Sequence, residues 1–179
     1  MPRYIAFLRA INVGGHTVRM DHLRRLFEAL GFTNVETFIA SGNVIFDSQA
    51  RSATALEGKI EAHLEAQLGY KVATFIRSPA ELAAIGNYKP FDSSALESKG
   101  NTLYIAFLPD KPPNEGKKKL SSFISDVDEL HVAGREVYWL CRTTFRESNF
   151  SGAQLEKTLG MPATLRNANT VRKLAAKYS

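Results

Sequence analysis

The chain has 179 residues, 44% of them hydrophobic and 23% charged, the composition of a globular protein long enough to bury a core without disulfide or metal staples. Its longest apolar runs are about five residues, far short of the roughly 20 that span a bilayer, and MPRYIAFLRA has no signal-peptide cleavage region, so a cytoplasmic protein with no membrane partner is expected. A formal charge of +5 favours anionic partners in general, while one cysteine and four scattered histidines exclude an internal disulfide and offer no metal-ligand spacing.

The first predicted strand is YIAFL, residues 4–8, apolar throughout as a strand covered on both faces should be. Met20, Leu23, Leu26, Phe27 and Leu30 then recur at helical spacing, predicting a helix over 20–30 that Gly31 stops. NVETFIA, SGN and VIFDS read as two short strands joined by turn formers. Thr54 and Glu57 form a capping box ahead of Leu56, Ile60, Leu64 and Leu68, with Gly69 closing that helix. The strand YKVATFIR follows, and Ser78, Pro79 and Glu81 open a short helix to about residue 85.

YIAFL returns at 104–108, and the same order replays behind it. A helix carries Leu120, Phe123 and Ile124; ELHVA, GRE and VYWLC form a hairpin, with Cys141 in its apolar arm expected to be buried. Ser151 and Gln154 open a helix through Leu155 and Leu159 to Gly160, followed by a strand near ATLRN and a helix with Val171, Leu174 and Tyr178, capped by Asn169 or Thr170. Each half therefore reads βαββαβα, which predicts an α+β fold of duplicated ferredoxin-like units with mainly antiparallel sheets. The expected organisation is a first subdomain over 1–86, a polar, turn-rich connection over 87–102 and a second subdomain over 103–179.

In such a unit the first and second strands run parallel with the third between them. The loop after strand 1, RAINVGGH, then shares one sheet edge with the SGN hairpin and the start of the first helix. That edge is rich in groups that hold anions. Arg9 offers a planar donor fork, Asn12, Ser41 and Asn43 add orienting polar groups, and Gly14, Gly15 and Gly42 allow tight turns that aim backbone N–H groups inward. The second copy keeps the strand but places Pro109 opposite Arg9, so it loses the site. RNANT supplies Arg166, Asn167, Asn169 and Thr170, and if that turn faces the first edge, Arg9 and Arg166 could clamp one anion. The same residue types also serve as ordinary turns and caps. Ser41, His16 and Asp21 form a triad on paper only, and Lys117, Lys118 and Lys119 read as a solvated face.

The opening YIAFLRAINVGG, with Met20, Leu23, Gly31, Phe32 and SGNVIF, resembles the domain of unknown function 1697 family of bacterial proteins, as does the close, LEKTLGMPATLRNANTVRKLA. The resemblance implies two ferredoxin-like subdomains and no established activity, ligand or catalytic residue. It also implies glycine at Ala10 and tryptophan at Ala168, so this chain lacks a flat stacking surface at the second place. Three functions compete: a binding protein or enzyme for a small anionic ligand, such as a phosphorylated metabolite; an RNA-binding module; and a protein-interaction scaffold. Neither VIFDS nor VYWLC matches the RNA-recognition strand pattern K/R-G-F/Y-G/A-F-V-x-F/Y, which places the second behind the first. The sequence names no reaction, cofactor or oligomeric state.

Overall fold

The computed structural model describes residues 1–9, 11, 17–39, 42–143, 148 and 150–178. The chain divides into two compact units, Met1–Ala83 with Leu174–Ser179, and Ala84–Lys173.

In the first unit β1 (Arg3–Leu8), α1 (Met20–Glu28), β2 (Thr33–Thr37), β3 (Asn43–Asp47), α2 (Ala53–Leu68) and β4 (Thr74–Arg77) precede α3 (Pro79–Asn87), which runs on into the second unit. The strands form a sheet in the order β2-β3-β1-β4, every neighbouring pair antiparallel. Alternation along β1 turns Tyr4, Ala6 and Leu8 into one hydrophobic cluster with Leu23, Phe27, Phe46, Leu56 and Ile60, and turns Ile5 and Phe7 to the other face, where they are also buried. That double burial is why YIAFL is apolar at every position. Phe46 anchors the helix-side core, stacked on Phe32 at 4.4 Å and tilted against Phe27 at 5.6 Å.

Local signals are obeyed where no tertiary partner competes. Gly31 and Gly69 end their helices in left-handed conformations, with φ of +89° and +84°. Ser78 and Glu81 form a reciprocal box, Ser78 N donating to Glu81 Oε1 at 2.9 Å and Glu81 N to Ser78 Oγ at 3.1 Å. The expected Thr54–Glu57 box is not made. Ser52, in extended backbone, caps α2 by accepting from Ala55 N. Glu57 is buried instead, and its Oε2 accepts from Ile76 N at 2.8 Å. β4 is an edge strand, so that N–H has no strand beyond it, and the carboxylate satisfies it.

Glu61 lies one turn further along the same helix, bonded to the backbone of Thr74; burial first, and then the charge of Glu57, push its carboxyl above the ordinary range despite that bond. A raised folded-state pKa means that the native chain holds the proton longer than the unfolded one, so this group's contribution falls as pH rises through the raised value. Glu61→Gln is expected to remove that decline and to raise stability at pH 7 by about 0.5 kcal/mol or less, since solvent screens a part-exposed site. Urea midpoints of both proteins at pH 5 and pH 7 check this; an identical pH response would show that Glu61 carries no penalty.

The second unit comprises α4 (Ser93–Glu97), β5 (Thr102–Phe107), α5 (Asn114–Ser121), β6 (Asp128–Ala133), β7 (Glu136–Cys141), α6 (Gly152–Leu159), β8 (Thr164–Asn167) and the start of α7 (Ala168–Tyr178). Its sheet order, β6-β7-β5-β8, repeats the first, again all antiparallel. The fold is α+β, two similar ferredoxin-like units of four antiparallel strands with interleaved helices. α4 is one short turn of helix within the segment expected to be a plain connection. α5 stops at Ser121, so Phe123 lies beyond the helix, 5.3 Å from Phe150, and Ile124 is exposed rather than buried. Ser151 Oγ caps α6 through Gln154 N at 3.2 Å and Gly160 ends it at φ +68°, as the spacing predicts. No helix among the described residues is long and apolar enough to cross a membrane.

Candidate functional site

Leaving β1, the chain is held from two sides. Leu8 N donates to Gly42 O at 2.8 Å, tying it to the β2–β3 hairpin, and Arg9 N donates to Ala73 O at 2.9 Å, tying it to the segment before β4. Ile11 is buried, and its carbonyl accepts from the Tyr70 hydroxyl at 2.9 Å, a phenol whose pKa burial raises. The predicted strand YKVATFIR is therefore shorter: β1 ends at Leu8, so residues 70–73 have no strand to pair with and bind the loop instead. Gly42 sits between these pieces at φ +79°, where a Cβ would stand 3.0 Å from both Leu8 Cβ and Ile11 Cγ2. Only glycine permits that approach.

The hairpin loop is longer than SGN suggests. β2 ends at Thr37 and β3 begins at Asn43, leaving a five-residue loop against the two-residue Gly134-Arg135 turn of the second unit. Asn43 is fully buried; its Nδ2 donates to the carbonyls of Phe38 at 2.9 Å and Ile39 at 3.4 Å, and its own carbonyl accepts from Phe38 N, so its amide braces the loop. Ile39, half exposed, is held at φ +51°, an uncommon conformation for a β-branched residue. Phe38 meets the Tyr178 ring edge-on at 6.1 Å, with Lys177 5.5 Å from the Phe38 centroid. Arg9 is exposed at this edge. Past the loop, Arg19 occupies the N-cap position of α1 in extended backbone; its side chain makes no capping hydrogen bond and instead pairs with Asp21 of the first turn at 3.8 Å. Asn12, Gly14, Gly15 and Ser41, with His16, lie outside the described residues.

The RNANT residues belong to the second unit. Arg166 is buried on β8, its Nη1 donating to Thr164 Oγ1 at 2.7 Å and Leu165 O at 3.0 Å, and burial lowers its pKa to about 10. α7 begins at Ala168, so Asn169 and Thr170 are inside the helix rather than its caps. Asn167 takes the capping place, its Oδ1 accepting from Asn169 N at 2.9 Å. Asn169 Oδ1 in turn accepts from Arg172 Nη1 at 3.4 Å, and Ala168 is buried.

Register exposes a residue that motif reading missed. Arg77 pairs with Ile5 and Arg166 with Ile105, so the two arginines occupy matching places in the duplicated sheets. Both are buried, and each donates Nη1 to the carbonyl of the preceding residue, Ile76 in the first case at 2.9 Å. Aligning FIR of β4 with TLR of β8 would have revealed the pair. Cys141 is buried, its thiol pKa raised chiefly by burial, which makes it a poor nucleophile. Among the described residues no group of three or more His, Cys, Asp or Glu side chains could hold a metal ion.

The fold is similar to that of a conserved bacterial protein, SP0830, from Streptococcus pneumoniae, with a TM-score of 0.75 and 23% identity over 99% of each chain. No curated protein matches the chain. The family model for DUF1697, a protein of unknown function, matches residues 1–138, from the N-terminus through β1, the loop and hairpin into β7. The chain belongs to the DUF1697 family.

Proposed function

We propose that the protein binds a small anionic ligand, carrying phosphate or carboxylate, at the β1 edge of its first unit. The observation that carries this reading is the meeting of the loop after β1 and the β2–β3 hairpin at Gly42, where Leu8 and Ile11 leave no room for a side chain. That constraint lies next to Arg9 and Ile11, and the rest of the RAINVGG loop and Ser41 adjoin these residues in the sequence. Arg9 would bind the anion through its donor fork, the Gly14 and Gly15 backbone through N–H groups, and Asn12 and Ser41 would orient it. Asn43 and Gly42 would act by shaping the hairpin. Arg166 is committed to Thr164 and Leu165, so the reading rests on the first unit. A base-stacking RNA platform would need exposed rings on the sheet faces, whereas Phe7, Phe75, Phe107 and Tyr138 are buried, which favours the small ligand.

Thermal-shift titration against nucleotides, sugar phosphates, carboxylates and short RNA tests it. A ligand at 100 times its Kd should stabilise the native chain by about 2.7 kcal/mol. Arg9→Ala should leave the ligand-free melting temperature nearly unchanged, because the exposed side chain is outside the core, and should abolish the ligand shift. A shift that survives in Arg9→Ala would remove the edge from consideration.

A further inference from the structure

Two adjoining concavities of the second unit share Leu96 and Arg172 in their walls. The smaller, of about 130 Å³, is walled by Asn101, Thr102, Asn167 and Asn169 beside Arg172. The larger, of about 440 Å³, adds Lys89, Ser93 and Glu97, and falls in the size range of small-molecule sites. The walls are α4 with the residues after it, the start of β5 and the β8–α7 turn.

Asn101, Asn167, Asn169 and Arg172 are held in place by local bonds. Asn101 Nδ2 donates to Ala95 O at 2.9 Å and its backbone N to Ser98 O at 3.1 Å, which folds the segment back onto α4. Asn167 and Asn169 use their Oδ1 atoms on Asn169 N and Arg172 Nη1 respectively, while their Nδ2 groups bond to no other described residue. Two amide donors therefore stand beside an exposed guanidinium, with a lysine on the adjoining wall. Capping α7 needs only the Asn167 Oδ1; it does not account for the second asparagine, Arg172 and a polar concavity coming together.

We infer that the second unit binds a small phosphorylated, hydroxyl-bearing ligand across these adjoining cavities. Its phosphate would sit at the junction against Arg172 and Lys89, with the Asn167 and Asn169 amides donating to the phosphate oxygens. Its hydroxyl-bearing part would occupy the larger cavity, where Ser93 and Glu97 accept from its O–H groups. This site shares no residue with the β1 edge, so either can fail without the other.

The test is a titration of the full chain with inorganic phosphate and then glucose 6-phosphate, followed through the side-chain amide signals of Asn101, Asn167 and Asn169 in ¹⁵N-resolved NMR. The expected result is a saturable shift of these signals with both probes, tighter with glucose 6-phosphate, weakened about tenfold or more by Arg172→Ala and unchanged by Arg9→Ala. Arg172 is exposed, so its removal should leave the fold intact. Unmoved amide signals, or equal affinity in Arg172→Ala, would overturn the inference; loss in Arg9→Ala alone would assign the binding to the β1 edge instead.

Discussion

Gly42→Ala should destabilise the chain by about 3 kcal/mol, whereas Gly69→Ala should cost about 1 kcal/mol, although both glycines have left-handed backbones. The shared term is conformational: an L-residue at positive φ loses roughly 1–2 kcal/mol. The difference is space. A Cβ on Gly69 would meet nothing within 4 Å, but one on Gly42 would stand 3.0 Å from Leu8 Cβ and from Ile11 Cγ2. Leu8 Cβ is fixed by the β1 backbone and cannot turn aside, and both side chains are buried, so relief requires the hairpin to withdraw from β1. Withdrawal also strains the Leu8 N to Gly42 O bond. Overpacking of this kind adds about 1–3 kcal/mol. Urea unfolding followed by circular dichroism separates the two variants, and equal losses would mean that the loop and hairpin are not held together by close packing at this point. Because the same contact positions the candidate anion edge, a folded Gly42→Ala protein should also show a weaker ligand shift than the parent.

Much of this architecture is legible in the sequence because duplicated strands and helix stops are local signals. YIAFL appears twice because each copy is buried on both faces at the centre of a four-stranded sheet. Ser78 with Glu81, Ser151 with Gln154, and the left-handed glycines are read from neighbours a few residues apart, and the structure keeps them. What pattern reading misses depends on partners far along the chain. Glu57 has the right spacing for a capping box, but the edge N–H of Ile76, 19 residues on, takes its carboxylate. Tyr70 and Ala73 look like the start of a strand and instead hold Ile11 and Arg9. The two YIAFL copies lead into different loops for a physical reason as well. Arg9 has an N–H to give to Ala73 O, and Pro109, in the matching place, has none. The hairpin bond to the end of the first strand survives in both units, Leu8 N to Gly42 O at 2.8 Å and Leu108 N to Arg135 O at 2.9 Å. The shared bond belongs to the fold, and the extra hairpin length and the Arg9 tether are what the first unit adds.

The other large effect is expected in the second unit's core, where Asp128→Ala should lower stability by about 3 kcal/mol. Trp139 faces Tyr104 across β5 and β7, in the place that Phe46 holds opposite Tyr4 in the first unit. A phenyl ring has no polar atom to satisfy, but the indole N–H does, and Trp139 is 1% exposed. Asp128 supplies the acceptor: Trp139 Nε1 donates to its Oδ1 at 2.8 Å, and Ser148 Oγ lies 2.8 Å from each carboxylate oxygen. Ser148 Oγ then accepts from Phe150 N at 3.0 Å, which carries the network to a ring 5.2 Å from the Trp139 indole. Removing the carboxylate takes this acceptor from a buried indole N–H and releases Ser148. Hydrogen bonds to a charged acceptor contribute about 1.5–3 kcal/mol, and an orphaned buried donor costs about 1–3 kcal/mol. Asp128→Asn keeps an oxygen for the indole and an amide that can donate to Ser148 Oγ, so its loss should be about 1 kcal/mol. Trp139 is the chain's one tryptophan, so its emission reports unfolding of this network directly. If Asp128→Ala and Asp128→Asn unfold at one urea midpoint, geometry at the indole is not what Asp128 contributes. If the alanine variant alone falls, the acid is there because the second unit placed a tryptophan where the first has a phenylalanine.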